Sequence, residues 1–188
     1  MVIKDYLIDK PILNTDNLIL RPITVNDISD LEEWLPDSEL YTYWGRSANK
    51  NELEPKLRFD DPRPNIKRKP NPDFVWGIVL KSNMKVIGEI YVINIENNRM
   101  AKVAYRVSKQ YWGKGFTTEA LKCVVEFSFE ETELQKLWTD VDTRNIASCR
   151  VLEKCGFMRE GMIRQGKMNL TFCDYYLYGL LRDDYYGK

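Results

Sequence analysis

Gln110-Tyr-Trp-Gly113-Lys-Gly115-Phe-Thr-Thr-Glu119 lies between two segments of different period. Before it, Ala101-Lys-Val-Ala-Tyr-Arg-Val107 reads as a strand. After it, residues 119–131 keep their polar side chains at Glu119, Lys122, Glu126 and Glu130, which predicts a mostly buried helix with one wet stripe. Glycines one residue apart permit a tight turn and a close approach of ligand to main chain. The N–H groups of Gly113 to Thr117 are then the unpaired donors of a helix start, a ready site for phosphate or pyrophosphate. Two readings stand, a plain turn and a phosphate cradle. A dinucleotide fingerprint is excluded because Thr118 stands where its third glycine belongs. A Walker loop is excluded because Gly115, not Ser or Thr, follows Lys114.

Working upstream, Phe74–Leu80 and Val86–Asn94 read as a hairpin joined by Ser-Asn-Met-Lys, with the 101–107 strand after the Asn97-Asn98 turn. Further back, Leu18-Ile-Leu-Arg-Pro-Ile23 is a short first strand stopped near Pro22. Thr24 or Asn26 is placed to cap a helix carrying Ile28, Leu31 and Leu35. A second helical stretch is expected over Lys50–Phe59. Residues 55–72 hold five of the eight prolines and six basic residues, so they form a long loop. Downstream, Leu137–Val141 is a strand and Ile146–Cys155 a helix closed by Gly156. Phe157–Gly166 and Thr171–Leu181 are two strands turning near Lys167-Met-Asn. The order β-α-α-βββ-α-β-α-ββ predicts an α/β (α+β) sandwich with a mixed sheet.

The 188 residues read as one domain, residues 1–188, large enough to bury a core without metal or disulfide staples. Twenty-eight basic residues balance 28 acidic ones, which argues against a nucleic-acid or polybasic membrane binder. The chain contains no histidine, so it has no Ser-His-Asp or Cys-His nucleophile system, no histidine metal site and no imidazole base. Cys123, Cys149, Cys155 and Cys173 show no CxxC spacing, and three of them sit in apolar patterns. They read as reduced structural thiols, no metal site is expected, and the compartment implied is cytoplasmic. The most continuous apolar run, Phe74–Leu80, is far short of the ~20 residues of a membrane helix, and Met1-Val-Ile-Lys-Asp-Tyr does not read as a secretory leader.

A second informative stretch is Asp140-Val-Asp-Thr-Arg-Asn145-Ile-Ala-Ser148-Cys-Arg150-Val-Leu-Glu153-Lys154-Cys-Gly156-Phe157. A strand again leads into a helix, whose first turn carries Asn145 and Ser148 on one face. On its own this pair reads as a helix cap. Together, the two stretches resemble the acetyl-coenzyme A site of the GNAT N-acetyltransferase superfamily. Gln110, Gly113 and Gly115 match its Q/R-x-x-G-x-G/A loop. Asn145, Ser148, Glu153, Lys154, Gly156 and Phe157 match its N-x-x-S/A…E-K-x-G-F helix. The resemblance spans Asn17–Tyr185 and is greatest to the RimJ/RimL-type branch of ribosomal-protein N-terminal acetyltransferases. Leu20-Arg-Pro-Ile and Asp174-Tyr-Tyr-Leu-Tyr-Gly-Leu-Leu-Arg-Asp-Asp184 carry that part of the likeness.

The resemblance implies a mostly antiparallel sheet flanked by helices and splayed between the fourth and fifth strands of this reading. The pantetheine arm of acetyl-coenzyme A would lie in that gap, paired with the backbone of Tyr105, Arg106 and Val107. The Val107 N–H would stabilise an oxyanion. Pyrophosphate would sit on the amides of Gly113, Lys114, Gly115, Phe116 and Thr117, behind Gln110. Asn145 would hold the arm, and Lys114 or Arg150 would neutralise phosphate charge. The acetyl group would pass directly to an amine in a ternary complex, with no metal.

Two departures from the family pattern bear on the chemistry. Leu152 stands where many members place a tyrosine acid, which leaves Ser148 as the hydroxyl near the departing thiolate. Residues 164–168 contain no acid where the branch places a glutamate base, so Glu89, Tyr91 and Tyr178 are the candidate bases. The six acidic residues from Asp27 to Glu39 would favour a cationic acceptor or form a solvated face. The basic 55–72 loop would cover the site and exclude an over-basic acceptor or would simply be mobile, and Trp34, Tyr41, Tyr43 and Trp44 would line an acceptor pocket or pack in the core. The expected acceptor is a peptide N-terminus, a polyamine or an aminoglycoside-like amine, and the chain is a monomer or a homodimer. The alternative is a catalytically inert acyl-coenzyme A sensor of the same fold.

Overall fold

The computed structural model describes residues 2–7, 10–58 and 74–187. Eight strands form one sheet in the order β1-β2-β3-β4-β5-β6-β8-β7. They are β1 (Leu13–Asn14), β2 (Leu18–Arg21), β3 (Phe74–Leu80), β4 (Lys85–Glu96), β5 (Met100–Val107), β6 (Lys136–Asp142), β7 (Met158–Met168) and β8 (Thr171–Leu181). Every neighbouring pair is antiparallel except β5 and β6, which are parallel. That exception follows from connectivity: a parallel neighbour needs a long crossover, here α3 (Phe116–Glu130). The other α-helices among the described residues are α1 (Ile28–Trp34), α2 (Lys50–Leu53), α4 (Ile146–Lys154) and α5 (Arg182–Tyr186), and short 3-10 turns join several elements.

β5 and β6 touch through only three pairs: Met100 with Lys136, Ala101 with Leu137 and Lys102 with Trp138. Past these pairs β5 stays on β4 as far as Val107, and β6 stays on β8 as far as Asp142. The two strands therefore part like a fork. Beside its crotch the β4–β5 register shifts between Ile93 and Glu96, and Asn94 has φ 51°. Such a bulge bends its strand and adds local twist.

Alternation along the strands sends their side chains to two layers. Phe74, Trp76, Ile78, Ile90 and Val103 face the buried stripe of α3, where Leu121, Val124 and Phe129 lie. Val79 and Val86 face Leu31, Trp34, Leu35, Leu40 and Tyr41 on the other side. Tyr105 packs against the first layer. Its neighbour Arg106 points into the second and joins a buried ionic cluster. Its guanidinium lies 2.6 Å from Glu89 and 2.5 Å from Glu52. Glu52 also pairs with Arg46 at 2.7 Å, so two guanidiniums balance two carboxylates.

Several boundaries differ from the sequence reading, each for a local reason. The helix expected over Lys50–Phe59 stops at Leu53. Glu54 precedes proline and leaves the helical region at φ −128°, ψ 80°, and Pro55–Arg58 is a separate 3-10 turn. α3 starts three residues before Glu119, because Gly115 at φ 87° forms the cap. Glu119 then binds back to Thr15 and to the Asn17 N–H, tying β2 to α3. Thr24 is the capping residue, but it caps a 3-10 turn, Val25–Asp27, that runs into α1; its N–H donates to Asp27. The last hairpin keeps pairing through Met168 and turns at Asn169-Leu170, with Asn169 at φ 53°. β1 and α5 escaped the sequence reading because two residues and five residues carry too little periodicity. The proline-rich loop lies outside the described residues from 59 to 73.

Burial alone would raise the Glu52 pKa. Hydrogen bonds from Arg46, the Asn49 N–H and Arg106 outweigh that, and its pKa is lowered from 4.5 to about 2. A depressed carboxylate contributes stability above its unfolded pKa and loses it as pH falls toward the folded value. Thermal melting should therefore drop between about pH 5 and pH 2, with a shallower slope for Glu52→Gln, which also melts lower at neutral pH; an unchanged slope would argue against this cluster as the cause. Arg106→Met removes the guanidinium that Glu52 and Glu89 share, and should cost about 3–5 kcal/mol in denaturant unfolding.

Candidate active site

The fork opens into a cavity of about 540 Å³. One wall is β5 from Lys102 to Val107, and the other is β6 from Thr139 to Asp142 together with the first turns of α4. Its outer end reaches Trp112, Gly113 and Thr117, and its inner end reaches Glu39, Leu40, Thr42, Tyr43 and Trp44 together with Met168 and Asn169 at the β7–β8 turn.

At the outer end Gly113 and Gly115 adopt φ 74° and 87°, a region that L side chains rarely enter. A Cβ at either position would meet no protein atom within 4 Å, so the reason for glycine is backbone conformation and the space above the loop is open on the protein side. Thr117, in the first turn of the 15-residue α3, also lines the cavity, so the N–H groups left unbonded at that helix start lie beside it. Trp112 fixes the loop to β5, its indole N–H donating to the Val107 carbonyl at 2.6 Å. Lys114 sits 5.2 Å above the Tyr111 ring, and Phe116 packs on the same ring.

In the middle, the Asn145 side-chain oxygen accepts the Ser148 N–H at 3.1 Å and so caps α4. That cap presents Ser148 to the cavity, where its hydroxyl lies 2.9 Å from the Tyr105 hydroxyl. Burial pushes the Tyr105 pKa well above its ordinary value. At the crotch, Lys102 of β5 pairs with Asp140 of β6 at 2.5 Å and closes the fork. Arg144 bonds Asp142 at 2.6 Å, which holds the Asp142 carboxyl below its ordinary pKa despite burial.

The inner end is built by docking the β7–β8 turn onto residues 42–45. The Asn169 amide donates to the Trp44 carbonyl, and the Leu170 N–H to the Gly45 carbonyl at 3.0 Å. Gly45 has φ 65°, and a Cβ there would lie 2.2 Å from the Met168 carbonyl oxygen. Tyr43 and Trp44 line the cavity, whereas Trp34 and Tyr41 are core residues bonded to the Val86 and Leu35 carbonyls.

Of the residues singled out from sequence, Tyr105, Arg106, Val107, Gly113, Thr117, Asn145 and Ser148 come together on the cavity wall. Gln110 and Arg150 are exposed outside it, and Lys114, Gly115 and Phe116 belong to the adjoining loop and helix start. The Arg106 side chain is committed to the ionic cluster. None of the three candidate bases lines this cavity. Glu89 is fully buried, accepting from Arg106 at 2.8 Å and from the Tyr91 hydroxyl at 2.6 Å. Tyr178 donates to Glu153 at 2.9 Å and borders a separate cavity of about 250 Å³.

The acidic stretch is mostly structural: Asp27 pairs with Arg21, Asp30 accepts the Val86 N–H, Glu33 pairs with Lys85 and Asp37 caps a turn. Glu39 alone of the six lines the cavity, and it pairs with Lys109. Sequence reading missed Trp112, the Lys102–Asp140 pair and the Met168–Asn169 contribution. Those roles depend on strand pairing between distant segments.

Residues 17–158 match the family described as the acetyltransferase (GNAT) domain. The chain belongs to the GNAT acetyltransferases. It is 31% identical over 156 residues to the uncharacterized N-acetyltransferase YoaA of Bacillus subtilis, covering 82% of this chain and 87% of that one. The GNAT fold is also shared with the ribosomal-protein-S5-alanine acetyltransferase of Vibrio fischeri, at TM-score 0.76 and 21% identity, covering 93% of this chain and 98% of that one. Spermidine N-acetyltransferase of Vibrio cholerae, solved with CoA and spermine, superposes at TM-score 0.75 with 20% identity, covering 92% of this chain and 99% of that one. In this GNAT member no described helix is long and apolar enough to cross a membrane.

Gly45→Ala should force the β7–β8 turn off residues 42–45. The expected result is a lower melting temperature and a raised KM for the acceptor with coenzyme affinity kept; an unchanged acceptor KM would mean that this contact does not shape the inner end.

Proposed function

We propose that this chain transfers an acetyl group from acetyl-coenzyme A to a primary amine by direct attack in a ternary complex. The observation that carries the reading is the fork itself. It offers an inner edge of β5 with no strand beside it past Lys102, a helix N-terminus with two positive-φ glycines at one end, and an aromatic chamber at the other. An extended pantetheine arm can bond to such an edge as another strand would. The amides of Gly113 to Thr117 and the α3 dipole would hold the pyrophosphate, with Lys114 and Arg150 near enough to the surface to screen it. Asn145 would hold the arm through its amide nitrogen, since its oxygen caps α4. The Val107 N–H would face the acetyl oxygen.

Acetyl-coenzyme A supplies an activated acyl carbon. The protein aligns it with the amine and provides a hydroxyl, Ser148, to the departing sulfur. The acceptor enters from the inner end. There the described carboxylates, Glu39, Asp140 and Asp142, each already face a Lys or Arg. Tyr43, Trp44 and Met168 dominate the remainder. This balance favours an acceptor with one amine on an apolar or peptide body, such as a protein N-terminus, over a polyamine or an aminoglycoside.

Thiol release from acetyl-coenzyme A should appear with short peptides bearing free N-termini and be weaker with spermidine and aminoglycosides. Preference for the polycations would overturn the acceptor reading, and coenzyme binding with no release for any amine would point to an inert sensor. Ser148→Ala should lower turnover by roughly 10²-fold or more, the scale of a lost general acid, with coenzyme affinity within twofold. Unchanged turnover would remove Ser148 from the chemistry.

A further inference from the structure

We infer that the Tyr105 side chain is a positioning residue for the Ser148 hydroxyl, directing its proton toward the departing sulfur. The inference rests on the acetyl-transfer reading above and deepens it. A serine hydroxyl rotates freely about its Cβ–Oγ bond, accepts and donates equally well, and in isolation favours no direction. Ser148 is not isolated. The Tyr105 hydroxyl reaches it across the cavity from β5, 2.9 Å from Oγ and 3.3 Å from the Ser148 carbonyl oxygen. When the phenol donates to Oγ, one lone pair of that oxygen is occupied and the serine O–H must point elsewhere.

The surroundings leave the cavity as its outlet. Behind the pair lies packed core, since Tyr105 sits against the α3 layer and α4 buries Cys149 and Leu152. Leu152, one turn after Ser148 on the same helix face, brings no polar atom of its own. Tyr105 therefore supplies, from the facing strand, the second hydroxyl that Leu152 does not give α4. β5 can deliver it because strand alternation sends Tyr105 to the α4 side while Arg106 anchors the opposite face in the ionic cluster.

The proton count closes without ionising the tyrosine. The amine nitrogen attacks the acetyl carbon, the C–N bond forms, and the C–S bond breaks with its electron pair going to sulfur. Ser148 gives its proton to that sulfur, and the proton lost by the amine replaces it through water. Free thiol and amide are the products. Tyr105 keeps its proton throughout and acts only as a donor to Oγ. Burial makes its phenolate costly, consistent with a donor that never lets go.

The test is a double-mutant cycle of Tyr105→Phe and Ser148→Ala, read as kcat for thiol release with the best acceptor of the panel. Coenzyme affinity and melting temperature are measured on all four proteins. Tyr105→Phe should lower kcat about tenfold in the parent, the worth of one hydrogen bond, and have no further effect in the Ser148→Ala background. A purely structural tyrosine would give the same loss in both backgrounds, and that additive result would overturn the inference. Full turnover of Tyr105→Phe beside an impaired Ser148→Ala would overturn it too, leaving the Ser148 reading intact. Full turnover of Ser148→Ala would instead fail the acetyl-transfer chemistry assigned to that serine. Should Tyr105→Phe fold poorly, 3,5-difluorotyrosine at 105 keeps the ring and the hydroxyl. It should retain parent turnover, and a loss of about tenfold or more in a folded protein would overturn the role.

Discussion

Three residue pairs hold β5 to β6, and the site depends on their number staying at three. A parallel pair made through a helical crossover normally zips along its length. Here the ladder stops at Lys102 and Trp138, and each strand stays with its outer neighbour. The Lys102–Asp140 pair closes the crotch with opposite charges. Beyond it no strand pairs with the inner edge of β5, where the Trp112 indole N–H takes the Val107 carbonyl and the rest of the edge faces the cavity. On the proposed reading, an extended amide chain of the coenzyme would pair with that edge, and the incomplete sheet would serve as its binding site.

The fork can stay open because both flanks are braced. On one side α3 and α4 pack on the sheet, with the Cys155 thiol against the Thr118 carbonyl linking the two helices. On the other, Arg106 binds β4 through Glu89 and α2 through Glu52. Consecutive residues of one strand thus serve opposite purposes: Tyr105 faces Ser148 on the cavity wall, and Arg106 clamps the strand that carries it. A buried ion pair adds little net stability when compared with apolar packing. What it supplies here is position, since a guanidinium bonded to two elements leaves β5 little freedom to slide.

Much of this was legible in the residues. The change of period around Gly113 and Gly115 located the strand–loop–helix unit, and the Asn145–Ser148 spacing located the second one. The boundaries that shifted did so for reasons local chemistry explains afterwards: proline after Glu54, positive φ at Gly115, asparagine in the β7–β8 turn. The candidate bases were harder. Glu89 on a central strand looks like chemistry in sequence, but the arginine that neutralises it lies 17 residues away. The acidic run from Asp27 to Glu39 reads in sequence either as favouring a cationic acceptor or as a solvated face, and its partners Arg21, Lys85 and Lys109 come from other parts of the chain. Residue type reveals what a side chain can do; only pairing across the fold reveals whether it is already occupied.

The central claim is that the inner edge of β5 and the start of α3 together receive the coenzyme. Amide hydrogen exchange, followed with and without coenzyme A on the whole chain, tests it residue by residue. Added coenzyme should slow exchange in residues 103–107 and 113–118, while the β3–β4 ladder, paired on both edges, stays as it was. Slowing confined to other segments, or none in 103–107 at saturating coenzyme, would contradict the account.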